Sequence, residues 1–292
     1  MTKAWIEAMR LRTLPVSAGG VLAGAGCAAY YGSFKWLPFL ICLAFALMAQ
    51  IVSNFANEYF DWRNGLDKKG REGFRRGVTE GDISPRAMRN ATFGLLAATC
   101  AVGCTLIIWG GWWLVFIGIA IAIFALAYST GPWPLSHHGL GEVAVVIFFG
   151  IVPVVFTAYV QTQSWDMLPV ALPVSAAIGL MGANVMIVNN YRDLDEDLKV
   201  GKHTLAVLIG PRATLTLYIC NAFLALLLIE IAVITRIPYL WQLGFLVYIN
   251  MAVITWKQMQ QAEGHELNPL LAKTAKTMLF CSVWILLSLS VH

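Results

Sequence analysis

Runs without Asp, Glu, Lys or Arg dominate the chain, covering 13–34, 36–57, 90–141, 143–165, 167–191, 213–229, 237–256 and 277–292. A helix crossing about 30 Å of hydrocarbon needs about 20 mainly apolar residues. Each run therefore predicts one membrane helix, except 90–141, which is long enough for two. Gly110–Gly111, flanked by Trp109, Trp112 and Trp113, predicts an interfacial turn that divides it. The pattern predicts an all-α integral membrane protein of about nine transmembrane helices, over 13–32, 36–56, 91–109, 112–130, 141–160, 168–190, 213–234, 238–256 and 272–290, as a single polytopic domain spanning 1–292.

Composition agrees. Hydrophobic residues make up 59% of the 292 residues and charged ones 12%, against about 45–50% and 25% in soluble domains. That balance excludes a disordered chain or a coiled coil, and 20 Lys and Arg are too few for a nucleic-acid-binding surface. The six cysteines all fall in apolar segments, with no C-x-x-C pair, so neither disulfides nor zinc are expected. The N-terminal MTKAWIEAMRLRTLP does not read as a removable signal. Of the 20 basic residues, 18 fall on one side of the predicted membrane, leaving only Lys35 and Arg236 on the other. Cytoplasmic loops hold the excess of Lys and Arg, so the N-terminus and the two long polar loops, 57–90 and 191–212, are expected at the cytoplasmic face of the inner membrane.

Those two loops hold ten of the sixteen acidic residues, and their sequences match. Asn57-Glu58-Tyr59-Phe60-Asp61 and Asn189-Asn190-Tyr191-Arg192-Asp193 both read N-x-Y-x-D at the end of a long apolar segment. Pro85-Arg86-Ala87 and Pro211-Arg212-Ala213 both introduce the next one, which makes a weak four-helix internal repeat. Four is even, so both copies enter the membrane from the same side and their acidic ends can face each other. On a helix, Asn57 and Asp61, Asn189 and Asp193, and Asp193 and Asp197 each share a face at i and i+4. Carboxylates held this close repel unless a cation neutralises them. Mg²⁺ is typically held by one or two carboxylates and completed by phosphate oxygens and water, so the doubled motif points to Mg²⁺ bridging a diphosphate. Cations among the acids, including Arg63, Lys68, Arg192 and Lys202, suit the outer phosphate oxygens.

The segments NEYFDWRNGLD and NNYRDLDEDLKVGKHTLAV resemble the two Asp-rich motifs of the UbiA-type membrane aromatic prenyltransferases. AYSTGPWPLSHHGLGE followed by VVIFFG, and ELNPLLAKTAK near the end, are similar to the branch of that family that acts on 1,4-dihydroxy-2-naphthoate. The resemblance runs from LRTLP at 11–15 to the last helix. It implies nine helices around a central chamber, with a polyprenyl diphosphate held through Mg²⁺ by Asn57, Asp61 and Asp67 from the first motif and Asn189, Asp193 and Asp197 from the second. The implied reaction is prenylation of dihydroxynaphthoate with loss of CO₂, giving a demethylmenaquinol. Glu58 stands where the family often has Asp, and His203 where a basic residue is common. The Y-x-x-x-K motif of related 4-hydroxybenzoate enzymes is not kept, because Pro132 lies four residues after Tyr128. That favours naphthoate over 4-hydroxybenzoate as acceptor.

In such a reaction Asn57, Asp61, Asn189 and Asp193 act at the catalytic centre by holding the metal and leaving group, and Tyr59, Tyr128 and Tyr191 offer aromatic faces to an allylic cation. The pairing of Glu230 and Arg236 is expected at the outer interface. His137 and His138 are expected as ordinary loop residues, with a general-base or substrate-carboxylate role as the alternative reading, and Arg10 and Arg12, which precede the first span, fit the basic cytoplasmic side, with diphosphate contact as the alternative. Gly19, Gly20, Gly24 and Gly26 predict close helix packing. A transporter of divalent cations or anions remains the reading from a different class, and the uncharged helix cores between 90 and 191 count against it.

Overall fold

The computed structural model describes residues 2–67, 69, 73–128, 130 and 134–291, and among them the fold is helical throughout. A short helix, α1 (Thr2–Met9), buries Ala4 and Ala8 against Phe55, Val78, Ile83 and Met88. Arg10, at φ 51°, then turns the chain into α2 (Leu14–Tyr30), whose first turn carries Pro15. After α2 comes α3 (Trp36–Arg63), 28 residues long. At 1.5 Å per residue it extends roughly 42 Å, about 12 Å more than the hydrocarbon needs. The first N-x-Y-x-D motif is therefore helical, on an extension of a span, where hydropathy alone placed a loop from residue 57.

A one-turn helix, α4 (Gly77–Glu80), precedes α5 (Pro85–Thr105), which starts with Ser84 Oγ accepting from the Ala87 N–H at 3.2 Å. The chain continues through α6 (Ile107–Gly110) and reverses at Gly111, φ 85°, into α7 (Leu114–Ala127), as the Gly-Gly and Trp cluster predicts. A single span over 141–162 is built from α8 (Gly141–Val145), a wide π-helical turn (Val146–Ile151) and α9 (Val152–Thr162). Pro153 has no N–H to offer the Phe149 carbonyl, which accounts for the interrupted ladder. The remaining elements are α10 (Leu168–Arg192), α11 (Leu194–Lys199), α12 (Leu205–Val233), α13 (Tyr239–Met259) and α14 (Leu267–Ser290). In α12 the backbone leaves helical geometry at Gly210, φ 80°, just before Pro211.

Each of the nine predicted segments overlaps helix among the described residues, with 91–109 covering α5 and α6 and 141–160 covering α8, the π turn and α9. Among the described residues seven helical segments are long and apolar enough to cross a membrane, while α2 and α7 are shorter apolar helices. Large apolar side chains such as Ile108, Trp112, Phe116 and Leu240 are exposed at 60% or more, which is stable only against lipid. The protein is an integral membrane protein. Its tightest packing surrounds α10, which contacts α2, the π turn, α12 and α14. Glycine permits that closeness: a Cβ at Gly150 would lie 2.4 Å from Gly179 Cα, and one at Gly24 2.5 Å from the Val154 carbonyl oxygen. Asn221 donates to Asn184 Oδ1 across α10 and α12 at 3.2 Å. Away from α10, the helices α3, α5 and α7 line an apolar cavity. At the far end of α12, Arg236 donates to the Ala232 carbonyl at 2.9 Å.

Candidate active site

The ends of α3 and α10 meet at one chamber of about 130 Å³, lined by residues of both motifs: Asn57, Asp61, Asn189 and Asp193. In the first motif Asn57 Nδ2 donates to Asp61 Oδ2 at 3.0 Å, the i, i+4 contact its spacing predicts. Two arginines from elsewhere in the chain converge on the same asparagine. Arg10 Nη2 donates to Asn57 Oδ1 at 2.7 Å and Arg76 Nη2 at 2.9 Å. Arg76 also lies 3.8 Å from Asp61 and 3.3 Å from Asp67.

The second motif is built around Arg192. Its Nε and Nη2 donate to the two Asp193 oxygens at 2.7 and 2.8 Å, Nη2 also to Asn189 Oδ1 at 2.9 Å, and Nη1 to Asn268 Oδ1 at 2.7 Å. Both guanidinium and carboxylate are almost fully buried. The Phe74 ring faces Arg12 at 5.2 Å and Arg192 at 5.3 Å, so the segment after the first motif reaches across to the second. Lys202 pairs with Asp197 at 3.6 Å.

The structure sorts the predicted site residues. Tyr128, Arg192 and Lys202 line the chamber with the two Asn and two Asp. Asp67 and Asp197 are buried behind it, each beside a cation on the lining, Arg76 and Lys202. Arg63 is exposed and off the lining. Tyr59 packs with the Phe55 cluster and Tyr191 against the main core, so neither ring lines the chamber. Lys68 lies outside the described residues. Glu58 is buried and accepts from the Val78 N–H at 3.0 Å, a bond that ties α4 to α3.

The loop after Tyr128 meets the second motif's loop directly. The His203 N–H donates to the His137 carbonyl at 3.2 Å, and His138 pairs with His203 in an isolated parallel bridge. His137 itself is off the lining, and burial first, then Lys202 and His138, lowers its pKa to about 4. A carboxylate that hydropathy reading passes over does line the chamber: Glu142, whose Oε1 accepts from Asn190 Nδ2 at 2.8 Å. Its signal was present, since it is the only charged residue from 90 to 165. Through Gln50, Ser53, Phe124 and Phe149 the chamber adjoins the apolar cavity, of about 310 Å³.

Among the described residues no three Asp, Glu, His or Cys side chains converge as a cage for a metal ion. The hard oxygen donors fit Mg²⁺ in another way. Two Asn and two Asp flank one chamber, and an ion held by one or two carboxylates takes its remaining ligands from phosphate and water.

A profile of the UbiA prenyltransferase family matches residues 17–283. The chain belongs to the UbiA prenyltransferase family. This UbiA-family chain is 30% identical over 295 residues to the 1,4-dihydroxy-2-naphthoate octaprenyltransferase of Escherichia coli (strain K12), covering 99% of this chain and 95% of the relative. It is 32% identical to the Mycobacterium leprae protein of the same description, over 96% of this chain and 92% of that one. Among solved structures, the apo UbiA homolog from Aeropyrum pernix K1 superimposes with a TM-score of 0.72 at 15% identity, covering 90% of this chain and 94% of that chain. The Archaeoglobus fulgidus homolog bound to DMAPP and Mg²⁺ gives 0.65 at 16% identity, covering 96% and 98%. At such identities these two likenesses concern the fold.

Proposed function

We propose that this chain transfers a polyprenyl group from a polyprenyl diphosphate to 1,4-dihydroxy-2-naphthoate, releasing diphosphate and CO₂ and giving a demethylmenaquinol. The observation that carries this reading is the convergence of both N-x-Y-x-D motifs on one polar chamber that adjoins an apolar cavity. A diphosphate headed by an isoprenoid tail needs that pairing of surfaces. The naphthoate acceptor is supported by the description of the relatives that match along nearly the whole chain.

The carboxamides and carboxylates of Asn57, Asp61, Asn189 and Asp193 would hold Mg²⁺, with Asp67 and Asp197 behind them. Bound there, Mg²⁺ would supply positive charge to stabilise the leaving diphosphate. Arg10, Arg76, Arg192 and Lys202 present guanidinium and ammonium groups to the phosphate oxygens. In the absence of substrate those groups are occupied with the motif side chains, and the diphosphate takes over part of their hydrogen bonding. The chamber walls limit water's access to the allylic cation, and the Tyr128 ring contributes a face to it. The tail lies in the apolar cavity between α3, α5, α7 and α9. The excess of Lys and Arg in these loops supports a site at the cytoplasmic face of the inner membrane.

Asp61→Asn and Asp193→Asn in purified, folded protein each lower Mg²⁺-dependent diphosphate release about 10²-fold or more, the scale for losing one electrostatic element of a preorganised site. The assay follows diphosphate and prenylated naphthoate with and without chelator. Wild-type rates in both variants refute the metal–diphosphate reading.

A further inference from the structure

One wall of the chamber carries polar groups that the diphosphate half does not use. Ser136 and Thr204 are 7% and 2% exposed, Glu142 is 6% exposed, and all three line the chamber. Among the described residues, Ser136 Oγ, Thr204 Oγ1 and Glu142 Oε2 are buried with no hydrogen-bond partner. A buried hydroxyl or carboxylate oxygen left unmatched costs about 1–3 kcal/mol or more. Three lining one small chamber amount to a set of groups awaiting a polar ligand. Ser136 and Glu142 lie six residues apart and Thr204 comes from the second motif's loop; the His137–His203 backbone bond joins the loops of Ser136 and Thr204, and Asn190 donates to Glu142 Oε1, leaving Oε2 unmatched. The Tyr128 hydroxyl lies 3.5 Å from the position a Cβ would take on Gly141, so an aromatic ring adjoins the same wall.

We propose that Ser136, Thr204 and Glu142 form the subsite for the aromatic acceptor, and that Glu142 Oε2 takes the proton from its ring hydroxyl. The assignment rests on the prenyl-transfer reading above. The hydroxyl O–H breaks toward Glu142 and its electron pair becomes a ring carbonyl. The adjacent, carboxylate-bearing ring carbon forms the new C–C bond to the allylic carbon, whose bond to the diphosphate oxygen breaks with the electron pair leaving on diphosphate. The product of that step is a β-keto carboxylate. Loss of CO₂ returns the C–C electron pair to the ring, the carbonyl oxygen recovers its proton from Glu142, and the carboxylate is regenerated. Ser136 and Thr204 hydroxyls donate to acceptor oxygens and set the ring's orientation.

Glu142→Gln tests this, because the Gln oxygen still accepts from Asn190 while the group no longer takes a proton. The expected result is kcat for naphthoate prenylation down about 10²-fold or more, Mg²⁺-dependent binding of prenyl diphosphate unchanged, and partial recovery in Glu142→Asp. Ser136→Ala and Thr204→Ala raise the acceptor KM about three- to tenfold, the value of one hydrogen bond, with kcat less affected; they remain informative if the Gln variant does not fold. Wild-type kcat in Glu142→Gln overturns the assignment, as does an unchanged acceptor KM in both hydroxyl variants. So does loss of prenyl diphosphate binding in Glu142→Gln, which places Glu142 in the other half-site. If the wild-type protein binds prenyl diphosphate with Mg²⁺ yet gives no naphthoate product, the acceptor reading fails and this assignment with it, which is distinct from a defect confined to the variants.

Discussion

Arg192 and Asp193 form a bidentate pair whose side chains are 2% and 3% exposed. Taking one charge away leaves the other buried, which costs about 3–5 kcal/mol. Arg192→Met keeps most of the apolar stem and removes the guanidinium, along with its bonds to Asn189 and Asn268. It is expected to destabilise the protein by about 3–5 kcal/mol. Asp193→Asn keeps a shape match but leaves Arg192 with only the neutral oxygens of Asn189, Asn268 and the new amide, at a cost of about 1.5–3 kcal/mol. The double variant has no buried charge at this point. Its cost is less than the sum of the two by about 2–3 kcal/mol, at the upper end for contacting residues. Unfolding in detergent micelles without substrate, followed by the fluorescence of the 11 tryptophans, measures all three. Additivity within about 0.5 kcal/mol refutes the buried pair, and a stable Arg192→Met variant shows that water reaches Asp193.

The other tests address a titration and a packing contact. His137, lowered to about 4 chiefly by burial, binds fewer protons in the folded chain than in the unfolded one between pH 4 and its ordinary value near 6.5. Stability from keeping the ring neutral is therefore complete above about pH 6.5 and is lost as pH falls toward 4, by on the order of 1 kcal/mol after discounting for partial solvent screening of the ring. His137→Gln flattens that part of the stability–pH curve, and a histidine NMR titration with a midpoint near 6.5 contradicts it. Gly24→Val drives a side chain into the Val154 carbonyl, 2.5 Å from a Cβ, and costs about 1–3 kcal/mol or more by overpacking. An unchanged melting temperature shows that α2 and α9 separate freely.

The hydropathy pattern was enough to place the apolar helices seen among the described residues, because in lipid every backbone N–H and C=O must be satisfied within the segment and an apolar run of that length has little alternative to a helix. The doubled N-x-Y-x-D motif likewise marked the two helix ends that meet at the chamber, since i, i+4 spacing fixes which side chains share a face. Asn57 and Asp61 meet as that spacing requires. The remaining contacts of the site were not legible. Helices such as α10 and α12 are apolar nearly all round, so their sequences do not state which face meets which neighbour. Only the packing, set by close approaches such as Gly150 on Gly179, rotates Asn190 toward Glu142, 48 residues away, and Asn57 toward Arg10 and Arg76. The same packing turns Tyr59 and Tyr191 away from the chamber that their place in the motif suggested. Local spacing determined the repeated donors, and helix rotation, a property of the assembled bundle, decided which cations and which acid stand beside them.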